Sequence, residues 1–218
     1  MAEVDSRYSL TALVQMTFPA LFQPRKFKGP NGKETGEEKY SANFLFDPKH
    51  PDLKPLKELA AKVAKAKWPG RDWKANPIKF AFADGTKLAE KRCAQGKKDD
   101  GTTVGKVVLS ARSKFPPALS GIENGKITDY EGDAKERAKN KFYSGVLVLA
   151  TFNFVAYDGV GANPDGVTAY LDMVFTSNKG ERIGSARSAA EAFKGYAGSI
   201  TDEDPTGGAG FADDDIPF

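Results

Sequence analysis

Residues 144–175, "SGVLVLATFNFVAYDGVGANPDGVTAYLDMVF", decide how this chain folds. The first part, 144–158, is apolar on both faces for some of its length. That pattern predicts a central strand, covered on both sides. "DGVGANPDG" over 158–166 supplies Gly, Asn, Pro and Asp, the residues that reverse a chain. The next run alternates. Val167, Ala169, Leu171, Met173 and Phe175 are expected to face a core, with Thr168, Tyr170, Asp172 and Thr176 outward.

Three more segments upstream carry the same period of two. "SLTALVQMTF" (9–18) puts Leu10, Ala12, Val14, Met16 and Phe18 on one face. "KYSANFLF" (39–46) does so with Tyr40, Ala42, Phe44 and Phe46. "GKVVLSARS" (105–113) sets Val107, Leu109 and Ala111 against Lys106, Val108, Ser110 and Arg112. Strands are thus expected near 8–18, 39–46, 105–113, 145–157 and 166–176, with a short one in "NPIKFAFADG" (76–85).

Between them, Leu53, Leu56, Leu59, Ala60 and Val63 recur at helical spacing. That helix is expected to be N-capped by Asp52 and to stop by Pro69-Gly70. "DAKERAKNKFY" (133–143) predicts a short helix capped by Asp133, and "SARSAAEAFKGYAG" (185–198) another. The segments 24–39 and 85–106 read as charged loops, the latter a basic excursion. The fold expected is mainly β: the strand count and the interposed helices favour an OB-fold-like five-stranded antiparallel barrel with helical and loop insertions, although in/out alternation alone does not separate a barrel from a sandwich. The domain would span 1–198. Residues 199–218, Gly-rich and acidic, predict a disordered tail.

Composition narrows the function. No apolar run is long enough for a membrane span, and "MAEVDSRYSL" lacks the pattern of a secretory signal. One cysteine, Cys93, and one histidine, His50, cannot form an internal disulfide or a structural zinc site, and they fit a reducing compartment. No metal and no cofactor are expected. "GTTVGKV" (101–107) has the wrong spacing and context for a phosphate loop. "DGVGANPDG" is wrong for a dinucleotide fingerprint. His50, between prolines, is a poor catalytic base, and the spacing of Asp84, Glu90, Asp129 and Asp172 demands no nuclease centre. The reading is therefore not an enzyme.

Charge points to a polyanion. The net charge is +3, but residues 201–218 hold six acids and no base, so the body alone carries +9. Trp68 and Trp73, the only tryptophans, sit among Lys65, Lys67, Arg71 and Lys74. Cations for phosphates beside flat rings for bases are what single-stranded nucleic acid requires. The candidates for stacking are Trp68, Trp73 and Tyr170. Those for phosphates are Arg25, Lys26, Arg71, Lys74, Lys106 and Arg112.

The chain ends "DDDIPF". Asp213, Asp214, Asp215, Ile216, Pro217 and Phe218 resemble the acidic tip of bacterial single-stranded DNA-binding proteins. That resemblance implies docking of replication, recombination and repair proteins. The body resembles phage-encoded single-stranded DNA-binding proteins with an elaborated OB-fold. It does so through "YSANFLFDP" (40–48), "PIKFAFADG" (77–85) and 142–175. This implies a protein of the infected host's cytoplasm that coats single-stranded DNA, either alone or as a homo-oligomer. The rival readings are an annealing or recombination mediator, a metal-dependent nuclease and an RNA-binding module.

Overall fold

The computed structural model describes residues 5–28, 34–96, 101–160 and 164–183. The helix expected at 185–198 and the tail at 199–218 lie outside the described residues, as do Lys97 and Lys98. Among the described residues ten strands run in chain order: β1 (Arg7–Ser9), β2 (Val14–Lys28), β3 (Glu34–Phe46), β4 (Lys79–Phe80), β5 (Phe82–Asp84), β6 (Val107–Ser113), β7 (Ala118–Glu123), β8 (Lys126–Asp129), β9 (Leu147–Tyr157) and β10 (Gly166–Thr176). Among them lie helices α1 (Leu53–Lys67), α2 (Gly85–Ala94) and α3 (Gly132–Arg137).

Five strands close on themselves. β2 pairs β3, β3 pairs β6, β6 pairs β10, β10 pairs β9, and β9 returns to β2. Four seams are antiparallel. The fifth is parallel and joins Ala111 to Ala169. Counted along the chain, the ring runs first, second, third, fifth, fourth, a Greek-key closure of OB type. Its inward positions carry Met16, Phe44, Leu109, Ala111, Phe152, Ala169 and Leu171, all buried. Phe44 and Phe152 meet edge to face with centroids 4.9 Å apart. α1 packs Leu53, Leu56, Ala60, Val63 and Ala64 against β9 and β10.

Several expectations are corrected. The first strand is not continuous: β1 pairs β9, and the chain breaks at 10–13 before β2 begins. Asp52 makes that break. It precedes α1 but makes no cap with its side chain. Its carboxylate instead accepts from the Tyr8 hydroxyl, from the Thr11 hydroxyl and from the Thr11 and Ala12 amides. β2 runs through Pro19 and Pro24 to Lys28, and β3 starts at Glu34, so the loop expected at 24–39 is largely a two-stranded ribbon. Prolines fit there because the pairing with β3 is interrupted three times.

Two bulges invert the alternation. Thr17 faces Asn43 and Ala20 faces Ser41, so Phe18 and Pro19 together oppose Ala42. Phe18 therefore turns outward and Thr17 inward. In β10 the register shifts between Leu171 and Met173. Met173 is exposed, while Val174 and Thr176 are buried. Much of the excursion at 85–106 is a real helix, α2, N-capped by Asp84, which accepts from the Thr86 and Lys87 amides. α3 is entered from Glu131, not from Asp133. β7 and β8 form a hairpin that periodicity does not reveal, turning at Asn124-Gly125 with φ of 50° and 75°.

Gly145 is a stability hinge. Its φ is +107°, and a β-carbon there would stand 1.8 Å from the Glu181 carbonyl oxygen. Gly145→Ala combines strain with a backbone clash and is expected to cost about 2–4 kcal/mol. A denaturant midpoint equal to that of the native chain would contradict this.

Candidate nucleic-acid interface

The sequence-predicted cations do not all converge. Arg25, Lys26 and Arg112 do: they line one groove of about 590 Å³, with Lys39, Ser41 and Phe18. The ladders explain why. Arg25 stands opposite Lys39, and Arg112 opposite Ser41, so β3 carries the two cations from either side onto one surface. Arg112 follows Ala111 on β6, and Tyr170 follows Ala169 on β10. Because Ala111 and Ala169 are partners in the parallel seam, Arg112 and Tyr170 share the outward side there. Arg112 is exposed and Tyr170 half-buried.

Three glutamates also line the groove: Glu34, Glu37 and Glu38. Glu37 is held by Lys114 at 2.8 Å and approached by Lys39 at 4.0 Å. The Lys114 hydrogen bond, chiefly, keeps its carboxyl below the ordinary range. Lys39 was missed in the sequence because it lies in a mixed-charge segment whose pairing with Arg25 only the ladder shows, and Lys114 because it follows the end of β6.

The tryptophans belong to a different place. α1 ends at Lys67, and Trp68 and Trp73 are half-buried against the core just beyond it. The Arg71 guanidinium lies 5.3 Å from the Trp68 ring centroid. Arg71 also bonds the Asp165 carboxylate at 2.5 Å and the Asn76 carbonyl at 3.1 Å. The Trp68 indole donates to Asp158 at 3.3 Å, and Lys67 pairs with Asp158 at 2.9 Å. Trp73 meets Phe80 edge on at 6.1 Å. This cluster clasps both ends of the β9–β10 connection. Lys67 chiefly lowers the Asp158 carboxyl; the Gly159 amide, then Arg71, lower that of Asp165. Lys74 is exposed beside it.

Lys106 lies in a third place, lining a pocket of about 400 Å³ with Lys57 and Phe82. The predicted tip residues Asp213, Asp214, Asp215, Ile216, Pro217 and Phe218 lie outside the described residues. Among the described residues no three His, Cys, Asp or Glu side chains gather as a metal cluster. Among the same residues no helix is long and apolar enough to cross a membrane.

The closed ring and the groove at its β2–β3 ribbon can be compared with known proteins. Residues 9–205 match the family model described as Enterobacter phage Enc34, ssDNA-binding protein. The chain belongs to this family. The solved single-stranded DNA-binding protein of bacteriophage Enc34 in complex with ssDNA is 18% identical, with a TM-score of 0.60; the match covers 84% of this chain and 96% of that one. The same phage protein without DNA gives 18% identity and a TM-score of 0.58, covering 87% and 94%. The gp2.5 single-stranded DNA-binding protein of bacteriophage T7 is 14% identical, with a TM-score of 0.48, over 87% of this chain and 97% of that one. No curated protein matches in sequence. The Enc34 likeness establishes the fold. The contacts on this chain have to be argued from its own residues.

Proposed function

We propose that this protein binds single-stranded DNA without reading its sequence, and coats it during phage replication or recombination in the host cytoplasm. The observation that carries this is the groove, where Arg25, Lys26, Lys39 and Arg112 gather on the outer face of a closed five-stranded barrel. In OB-folds that face and the loops beside it take oligonucleotides. Membership of the Enc34 family supports the same reading. Phosphates meet the cations there, and Tyr170 offers a ring at the seam. Trp68, Trp73, Arg71, Lys74 and Lys106 extend the surface beyond the groove, with Arg71 also fixing the β9–β10 connection. The domain is residues 1–198 and performs no catalysis.

The second half of the proposal concerns residues 199–218. Phe218 offers a ring and a carboxylate on one residue, and Pro217 keeps the backbone extended, which lowers the ordering cost. A partner with an apolar pocket rimmed by basic residues fits that end. The six acids of 201–218 also compete for the basic groove.

The test is a titration with oligo(dT), followed through Trp68 and Trp73 fluorescence, on the full chain and on one ending at residue 198. The shorter chain is expected to bind about tenfold tighter at low salt and equally at high salt, because the competition is between charges. It should also lose capture of replication and repair enzymes. A full chain that ignores oligo(dT) at modest ionic strength would remove the proposal. Equal affinity of the two chains at low salt would remove only the competition.

A further inference from the structure

Phe18 is the residue whose placement the barrel does not need. By parity with Val14 and Met16 it should point inward. The bulge of Phe18 and Pro19 against Ala42 turns it out, to 54% exposure. Its backbone sits at φ +49°, a left-handed conformation that is costly for a bulky residue and more so before proline. The Ser144 hydroxyl holds that geometry by accepting from the Phe18 amide at 3.1 Å. The inversion also leaves the buried Thr17 hydroxyl with no hydrogen-bond partner. Bulges re-aim side chains, and local strain of this kind gathers at binding sites.

What Phe18 is aimed at is the groove. It lines the same space as Arg25, Lys26 and Arg112. The Arg92 guanidinium, from the end of α2, lies 5.4 Å from its ring centroid. α2 thereby reaches the groove from a segment that composition alone presents as a loop. An exposed ring flanked by a guanidinium, at the edge of a groove where Arg25, Lys26, Lys39 and Arg112 outnumber its three glutamates, is the arrangement that receives a nucleobase.

We propose that Phe18 is a base-stacking platform of this protein: one unpaired nucleobase lies on its open face while its phosphates run toward Arg25, Lys26 and Arg112. The proposal rests on the single-stranded DNA reading above. It assigns the groove a discrete nucleobase site, formed by a bulge and by α2. The site selects for planarity and takes any base, because every base has a π-face.

The experiment compares the native chain with Phe18→Ala, Phe18→Leu and Phe18→Trp on an oligo(dT) of about 12 nucleotides. The alanine and leucine variants are both expected to weaken binding between about fivefold and a hundredfold. The slope of log affinity against log salt should stay that of the native chain, since no phosphate contact is lost. The Phe18→Trp variant should keep native affinity, and the emission of its added indole should be quenched on binding. Phe18→Leu binding as well as the native chain would overturn the platform, because a merely apolar contact would then suffice. So would a Phe18→Trp variant whose added emission ignores DNA that the protein demonstrably binds. Native protein that fails to bind oligo(dT) would instead sink the underlying function, and the platform with it.

Discussion

Replacing Arg25, Lys26 and Arg112 together by alanine is expected to weaken oligo(dT) binding about a hundredfold at 0.1 M salt. The size follows from counterion release. Each phosphate contact on a single strand contributes a slope of about −0.7 in log affinity against log salt. Three lost contacts should flatten the slope by about 2. At 1 M salt, where that contribution vanishes, the variant and the native chain should converge. The three side chains line one groove and sit on the barrel's exterior, so stability should barely change. Equal affinity at low salt, or a loss that persists at 1 M, would remove the groove as the phosphate track. The same substitutions at Lys74 and Lys106, which lie elsewhere, measure how far the bound strand extends.

The barrel was legible because its strands are long and their inward residues recur every second position. Phe44, Leu109, Ala111, Ala169 and Leu171 all face the core as their spacing demands. Arg112 and Tyr170 fell on the outward side for the same reason. The pattern failed where one extra residue enters a strand. At Phe18 the alternation breaks, and after Leu171 it inverts, and periodicity makes no allowance for an inserted residue. The dipeptide Phe18-Pro19 was the available signal, because proline interrupts a ladder. α2 was hidden by its lysines, since it buries only Gly85 and Ala89. The Asn124-Gly125 turn, between runs of six and four residues, was a readable hairpin that alternation alone does not reach.

The aromatic part of the site was harder. Trp68 and Trp73 sit in a basic stretch whose polar setting favours at least partial exposure, and both are half-buried. Their actual partners come from far along the chain: Arg71 bonds Asp165 across 94 residues, and Trp68 bonds Asp158 across 90. Local sequence cannot show that a cation is already engaged by an acid on another loop. Phe18 is the converse case, an apolar residue that local sequence assigns to the core and tertiary pairing delivers to the surface.

Asp52→Ala is expected to cost on the order of 3–5 kcal/mol, lowering the melting temperature by roughly 10 °C. Asp52 is 1% exposed. One carboxylate oxygen accepts from the Tyr8 hydroxyl at 2.9 Å and the Thr11 hydroxyl at 2.7 Å; the other accepts from the Thr11 and Ala12 amides at 3.0 Å each. Alanine leaves those donors without an acceptor. Asparagine offers one oxygen and presents its NH₂ to the other pair, so Asp52→Asn should be nearly as damaging. Alanine or asparagine tolerated without loss would refute this network as the brace between β1 and β2.

The brace also makes stability depend on pH. Burial would raise the Asp52 carboxyl, but the Thr11, Ala12 and Tyr8 hydrogen bonds outweigh it and hold the group below 3.8. A depressed folded value means its stabilisation is complete above the unfolded value and lost as pH falls through the folded one. Burial first, then the Asp52 contact, pushes the Tyr8 phenol from 10.0 up to about 12. Above 10.0 the unfolded phenol gives up its proton while the folded one keeps it, so stability falls as pH rises toward about 12. Denaturant midpoints measured across both windows should decline at each end for the native chain. Tyr8→Phe should abolish the share of the alkaline decline that belongs to this phenol, because the proton whose retention drives it is gone. An alkaline profile unchanged by Tyr8→Phe would show that the brace does not govern it.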